Sequence, residues 1–192
     1  TTLVPQFKLK DPSSQLTVKE RLNMFKERFP GSDLVIKEFP TGQASSNTVR
    51  NLLVQLQNYD DFSPDLVIID YLELMRPVRE IEKEYLAQQR IAEEVRGVAM
   101  EFNILVWTAT QTNRQGRMVQ VITDAELGDS YGKIRTCDFA MSLNQSEEEF
   151  DNGVMRAYVI KSRNGRPRFS VHMGVDYGTL RMTEIDGGFN AD

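Results

Sequence analysis

The stretch Asp65-Leu66-Val67-Ile68-Ile69-Asp70 constrains the fold more than any other part of the chain, because four consecutive aliphatic residues stand between two carboxylates with no polar alternation. A strand with one face in water alternates apolar and polar side chains, whereas a strand covered on both faces reads as a continuous apolar run. The pattern predicts a buried strand of a parallel sheet. Ile104-Leu105-Val106-Trp107-Thr108 repeats it. Between the two, from about Arg79 to Phe102, Ile91, Val95, Val98 and Phe102 recur on one helical face while Glu, Gln and Arg fill the other. Strand, helix and strand in this order make a right-handed crossover unit, so an α/β core is expected.

Other elements follow from local signals. Residues 1–16 show no periodicity and include Pro5 and Pro12, which predicts a loop or strand remnant. Thr17 and Glu20 have capping-box spacing, and Val18, Leu22, Phe25 and Phe29 then mark an amphipathic helix that Pro30-Gly31 ends. Asp33 to Phe39 reads as a short strand, and Pro40-Thr41-Gly42 turns it toward Ser45 or Ser46, either of which caps a helix with Val49, Leu52, Leu53 and Leu56 as its apolar stripe. Thr110 to Gln120 is a polar loop, and Thr123 with Glu126 opens a short helical segment. Phe139 to Leu143 is a further strand, followed by an acidic turn at Glu147, Glu148, Glu149 and Asp151. Met155 to Ser162, Arg168 to Val175 and Thr179 to Thr183 are β runs separated by Asn164-Gly165 and Asp176-Tyr177-Gly178, which predicts closing antiparallel hairpins. The expected organisation is a single domain over 1–192, irregular to about residue 16, an α/β core over 17–143 and hairpins over 155–184.

Composition excludes several functions. With 192 residues and 40% hydrophobic content, the chain can bury one sizeable core. No run approaches the roughly 20 apolar residues that cross a bilayer, and no charged-then-apolar leader opens the chain, so a cytoplasmic location without membrane partners is the default expectation. Cys137 has no second cysteine to pair with, and His172 is the single histidine, which leaves no Cys/His cluster for zinc. Both read as structural residues, and Trp107 and Phe102 as core. A net charge of −5 opposes a surface that grips nucleic acid everywhere but permits a narrow basic channel. Thr1 stands where an initiator methionine would, which predicts a cut fragment or a processed product.

Open parallel sheets bind ligands at the carboxyl ends of their strands. Asp70 ends the first buried strand, where a carboxylate either caps the turn or holds a water of hydrated magnesium beside nucleotide phosphates. Gln111, in Thr108-Ala109-Thr110-Gln111-Thr112-Asn113-Arg114, leaves the neighbouring strand and is either surface polarity or a contact to a terminal phosphate or an attacking water. Lys161 and Arg163 project to one side of a strand end, as a solvated pair or as a fork that reaches a phosphate across a subunit boundary.

Taken in order, these segments resemble a known family. Asp65-Leu66-Val67-Ile68-Ile69-Asp70-Tyr71-Leu72-Glu73-Leu74-Met75 is similar to the Walker B segment of DnaB-type hexameric replicative helicases, including their Tyr-Leu-x-Leu-Met continuation. Thr110-Gln111-Thr112-Asn113-Arg114 resembles their Ser-Gln-Leu-Asn-Arg switch, and Lys161-Ser162-Arg163-Asn164-Gly165 their Lys-x-Arg-Asn-Gly. The resemblance spans roughly residues 33–184, and its variant spelling suggests a bacteriophage or divergent member. It implies a RecA-like core with a mainly parallel sheet flanked by helices. It also implies ATP and Mg2+ as cofactors, with Asp70 on magnesium, Gln111 as phosphate sensor and Lys161 with Arg163 acting in trans. The implied assembly is a homohexamer on single-stranded DNA, with a primase or helicase loader as further partner.

For DNA contact the resemblance points to channel-facing loops. The stretch matching the family's Asp-Leu-Arg-Glu-Ser-Gly is Glu126-Leu127-Gly128-Asp129-Ser130-Tyr131-Gly132-Lys133, so Gly128 replaces the family's arginine. Gly128, Asp129, Lys133, Arg114 and Arg117 are the DNA-binding candidates. No Gly-x-x-x-x-Gly-Lys-Ser/Thr occurs in the sequence, and Gly128 to Lys133 has the wrong spacing for one. The phosphate-binding loop and the water-activating glutamate of the family are thus expected upstream, and this chain alone is expected not to hydrolyse ATP. Two other readings share the Asp70 strand: a non-catalytic RecA-like subunit or regulator, and a recombinase or clock-type RecA relative.

Overall fold

The computed structural model describes residues 12–111 and 131–190. The chain divides into two compact units, one formed by Phe39–Asn144 and Tyr158–Phe169, the other by the described residues up to Glu38 with Gln145–Ala157 and Ser170–Asn190.

In the first unit, Gly42 takes a φ of +73° and its N–H donates to Leu74 O at 2.8 Å, so the Pro40-Thr41-Gly42 turn forms as expected. Ser45, rather than Ser46, caps the helix that follows, α2 (Ser46–Tyr59): Thr48 N–H donates to Ser45 Oγ and Ser45 N–H to Thr48 Oγ1, satisfying two end donors reciprocally. Helix α2 buries Leu53 and Leu56. Strand β1 (Leu66–Ile69) leads into a 3-10 turn at Leu72–Leu74 and then to α3 (Glu84–Phe102). Helix α3 starts later than the expected Arg79, with the approach pinned where Val78 N–H donates to the Glu94 carboxylate at 3.2 Å. Asn103 closes the helix in the left-handed conformation, φ 52°, donating to Ala99 O and Met100 O, and β2 (Leu105–Thr108) begins two residues on.

Strands β1 and β2 pair in parallel, Leu66 with Leu105 through Ile69 with Thr108, which is the expected strand-helix-strand unit. One face packs on α3 and its neighbours, with Ile69 and Val106 against a core of Leu72, Met75, Ile91 and Val95. The expectation of cover on both faces is corrected: Ile68 is 67% and Leu105 60% exposed, with Leu66 and Trp107 beside them, so among the described residues the sheet has one bare face. Trp107 is accordingly not a core residue; its ring stacks on Phe139 at 6.1 Å between centroids. Residues Asp33 to Phe39 form no strand, because an extended segment needs a neighbour for its N–H and C=O groups and none of the described strands pairs with it. Parallel pairing is therefore confined, among the described residues, to two strands, a smaller share than the expected mainly parallel sheet.

Helix α4 (Tyr131–Thr136) lies close along α3, where a Cβ on Gly132 would come within 2.8 Å of Gln89 Oε1. Strand β3 (Phe139–Asn144) follows. Strands β3, β4 (Val154–Ser162), β5 (Ser170–Asp176) and β6 (Arg181–Asn190) succeed one another in a four-stranded sheet. Bonds from Val159 N to Phe169 O and from Val175 N to Gly153 O show β4 and β5 running in opposite directions, and β5 pairs antiparallel with β6, as the turn signals predict.

In the second unit, α1 (Pro12–Arg28) begins ahead of the expected cap at Thr17, and its stripe residues Leu22, Phe25 and Phe29 are exposed, the two phenylalanine rings 4.9 Å apart. The acidic turn is a short helix, α5 (Glu147–Asp151). Ser146 and Glu149 form its reciprocal cap, the three glutamates suit the helix N-terminus, and Arg156 Nε lies 2.6 Å from Glu149 Oε1. Asp176 accepts from Gly178 and Thr179 N–H groups, which folds the turn into β6.

Ile91 is 1% exposed at the centre of the core beneath β1 and β2. Ile91→Ala is expected to lower the unfolding free energy by about 2–5 kcal/mol in a denaturant titration, since the surrounding side chains cannot fully collapse on the space left; a change below about 1 kcal/mol would contradict this packing.

Candidate functional site

Because β1 and β2 run in parallel with Ile69 opposite Thr108, the residues that follow them emerge at one edge. Thr108 Oγ1 donates to Ile69 O at 2.8 Å and ties the two strand ends together. Asp70 is the first residue past β1, and its carboxyl group is exposed. Gln111 leaves β2 at the same edge, where its side-chain Nε2 donates to the Tyr71 hydroxyl at 3.1 Å, next in sequence to Asp70. Two of the expected site residues are thus brought together.

The centre of this edge is a residue that the sequence did not single out. Glu73, on the 3-10 turn after Asp70, accepts at one oxygen, Oε1, from the Gln111 backbone N–H at 3.3 Å, from the Thr110 hydroxyl and from Lys133 Nζ at 2.6 Å. Lys133, on α4, is 8% exposed and Glu73 24%, so this pair is largely withdrawn from water. Burial acts to raise the Glu73 pKa, but the hydrogen bonds from Lys133 and Thr110 and the lysine charge outweigh it and hold the carboxyl below its ordinary value. The available signal was a lone charge inside the apolar stretch Tyr71-Leu72-Glu73-Leu74-Met75. Lys133 was expected at a DNA-facing surface; the structure places its ammonium in this ion pair. Arg114, Arg117, Gly128 and Asp129 lie outside the described residues.

Lys161 and Arg163 form a second cluster. Lys161 Nζ donates to the carbonyls of Ile134 and Arg135, both at 2.9 Å, and so caps the end of α4. Arg163 pairs with Asp138 at 2.6 Å, and Arg96 from α3 grips the same carboxylate at 2.6 and 3.1 Å. The Arg96 hydrogen bond is the main reason the Asp138 carboxyl is held below the usual aspartate range, and Arg163 and Lys161 add to it. Lys161, Arg166 and Arg168 also line an open cleft of about 440 Å3 on this strand end. Cys137, beside them, packs as expected: burial pushes its thiol up despite the nearby Lys161 charge, which disfavours a reactive thiolate. His172 lies half-buried on β5.

Asp70 is an exposed oxygen donor at this edge, the kind of ligand that a magnesium ion keeping its waters takes beside phosphate oxygens. Fold and edge together define an α/β protein with a polar cluster at the carboxyl ends of parallel strands, the usual ligand edge of such sheets. The chain belongs to the DnaB-like helicase C-terminal domain family, whose model matches residues 2–176. It is 31% identical over 173 residues to a DnaB-like replicative helicase of Enterobacteria phage T4, covering 88% of this chain and 36% of that protein. Among solved structures it is similar to a DnaB-like replicative helicase described with its interactions with primase, at a TM-score of 0.74 and 18% identity, covering 95% of this chain and 46% of the other. The ATPase domain of G40P matches at a TM-score of 0.72 and 18% identity, with 95% and 66% covered. The chain thus spans about a third of the length of the phage T4 relative. No helix among the described residues is long and apolar enough to cross a membrane.

The Glu73 pair carries a pH signature. With its folded-state pKa below the unfolded one, the carboxyl contributes stability that is fully present above the unfolded value and is lost as pH falls through the folded value. Melting temperatures of the wild type and Glu73→Gln are expected to differ at neutral pH and to converge as pH drops below the ordinary glutamate range; a constant gap down to acid pH would contradict the pairing.

Proposed function

We propose that this chain is part of the ATP-hydrolysing motor domain of a replicative DNA helicase, working as a homohexamer that couples turnover at subunit interfaces to translocation on single-stranded DNA. The observation that carries the reading is the shared edge: Gln111 donates to Tyr71 beside Asp70, so an amide and an exposed carboxylate stand at the ends of adjacent parallel strands, which supports reading them as phosphate sensor and magnesium ligand. In this reading Asp70 holds Mg2+ through water beside the phosphates of ATP, and Gln111 bonds the terminal phosphate or the attacking water. Magnesium-bound ATP supplies the phosphoanhydride bond whose hydrolysis drives movement.

Lys161 and Arg163 serve the nucleotide of the adjacent subunit. Arg163 and Asp138 are 54% and 52% exposed, and pairs so open contribute at most about 1 kcal/mol. A phosphate therefore displaces Asp138 at little cost. Lys161, bound to two carbonyls, is held more firmly and positions the strand end as well as its own charge. DNA contacts fall to Arg114, Arg117, Gly128 and Asp129, while contact through Lys133 requires release of Glu73. The family membership, with a similar phage replicative helicase and a similar helicase structure described with primase, supports both the reading and a primase or loader as partner.

Arg163→Ala in the full-length protein is expected to reduce single-stranded-DNA-stimulated ATP turnover by at least about 10³-fold, the range of a trans-acting arginine, while a fluorescent ATP analogue binds within about threefold of wild type. Unchanged turnover would remove Arg163 from the nucleotide site.

A further inference from the structure

The edge that carries Gln111 and the strand end that carries Lys161 are joined by one short helix. In the last turn of α4, Lys133 Nζ meets Glu73 Oε1, the oxygen that also receives the Gln111 N–H and the Thr110 hydroxyl. The carbonyls of the next two residues, Ile134 and Arg135, receive Lys161 Nζ. Glu73 Oε2 is buried and accepts no hydrogen bond from the described residues, so the carboxylate is balanced at Oε1 alone. We propose that the Glu73–Lys133 ion pair is the joint that positions Gln111 and, through the last turn of α4, couples it to Lys161.

Glu73 bonds Thr110, Gln111 and Lys133; it acts through Gln111 and is a positioning residue. The charge on Glu73 draws three donors to a single oxygen, and a carboxylate bond to N–H is stronger and shorter than a neutral one. The lysine makes that charge tolerable at a half-buried place. Removing Lys133 leaves an unbalanced carboxylate, whereas removing both charges leaves a neutral pair, so the two substitutions should not add. The last turn of α4 cannot shift without loading both contacts, because it is held by two lysine ammonium groups, one its own and one from β4.

The inference rests on the motor reading for the role of Gln111, but its test has an arm independent of it. In the full-length protein, Lys133→Met is expected to speed hydrogen–deuterium exchange of the Gln111 amide by about tenfold and to reduce kcat for ATP by a similar factor, with KM within about twofold, because losing a charge-assisted hydrogen bond changes an equilibrium or a rate by about that much. Adding Glu73→Gln to Lys133→Met should restore most of both losses, since the glutamine amide oxygen still accepts from Thr110 and Gln111. Exchange in the 158–163 segment should rise with Lys133→Met and recover in the double variant. Lys133→Arg, which keeps the charge, covers the case in which the methionine variant does not assemble, and should stay within about threefold of wild type in both readouts. Unchanged Gln111 exchange, additive losses, or a KM effect with kcat intact would overturn the proposal. If the wild type shows no DNA-stimulated turnover, the motor reading fails while the exchange arm still decides the joint.

Discussion

The parallel pairing of Ile69 with Thr108 is the constraint on which the site depends. It exists because α3 is long enough to return the chain to the start of β1 and apolar enough, through Ile91, Val95 and Val98, to hold both strands by one face. Once the register is set, Asp70 and Gln111 leave the sheet at the same edge, and Thr108 Oγ1 locks the strand ends by bonding Ile69 O. A shift of β2 by one residue would send Val106 to the bare face and take it from the core that supports the 3-10 turn. Glu73 then gathers the edge, drawing Thr110, Gln111 and Lys133 to one carboxylate oxygen.

Charge is distributed in a way that the net value of −5 conceals. The cations at the candidate site differ in how they are held: Lys133 is buried in an ion pair, Lys161 caps carbonyls, and Arg163 sits in an open pair with Asp138. Burial and partner strength order them by availability to a phosphate, Arg163 first and Lys133 last. The proposed role of Arg163 in trans rests on that ordering, with the most exposed cation held only by an open pair.

Much of this was legible in the sequence. The two apolar runs, the helical face between them and the turn signals at Asn164-Gly165 and Asp176-Tyr177-Gly178 predicted β1, α3, β2 and the antiparallel strands. Continuous apolar runs did not reveal the bare face carrying Ile68 and Leu105, because hydrophobicity marks a residue fit for burial and not the presence of its cover. Asp33 to Phe39 has strand composition, but none of the described strands pairs with it. The acidic stretch at Glu147 looked like a solvated turn, and the reciprocal Ser146–Glu149 cap made it a helix. Glu73 and Lys133 are sixty residues apart in the chain, and no local pattern announces a pair formed by folding.

The proposed nucleotide site takes Asp70 and Gln111 from one copy of this chain and Arg163 from the next. Mixing full-length Asp70→Asn with full-length Arg163→Ala, each inactive alone, tests it most directly. Mixed rings contain some interfaces with both defects and some with neither, so DNA-stimulated ATP turnover is predicted to appear on mixing and to peak near equal proportions. Mixtures that assemble but stay as inactive as their components at every ratio would contradict a site shared between subunits.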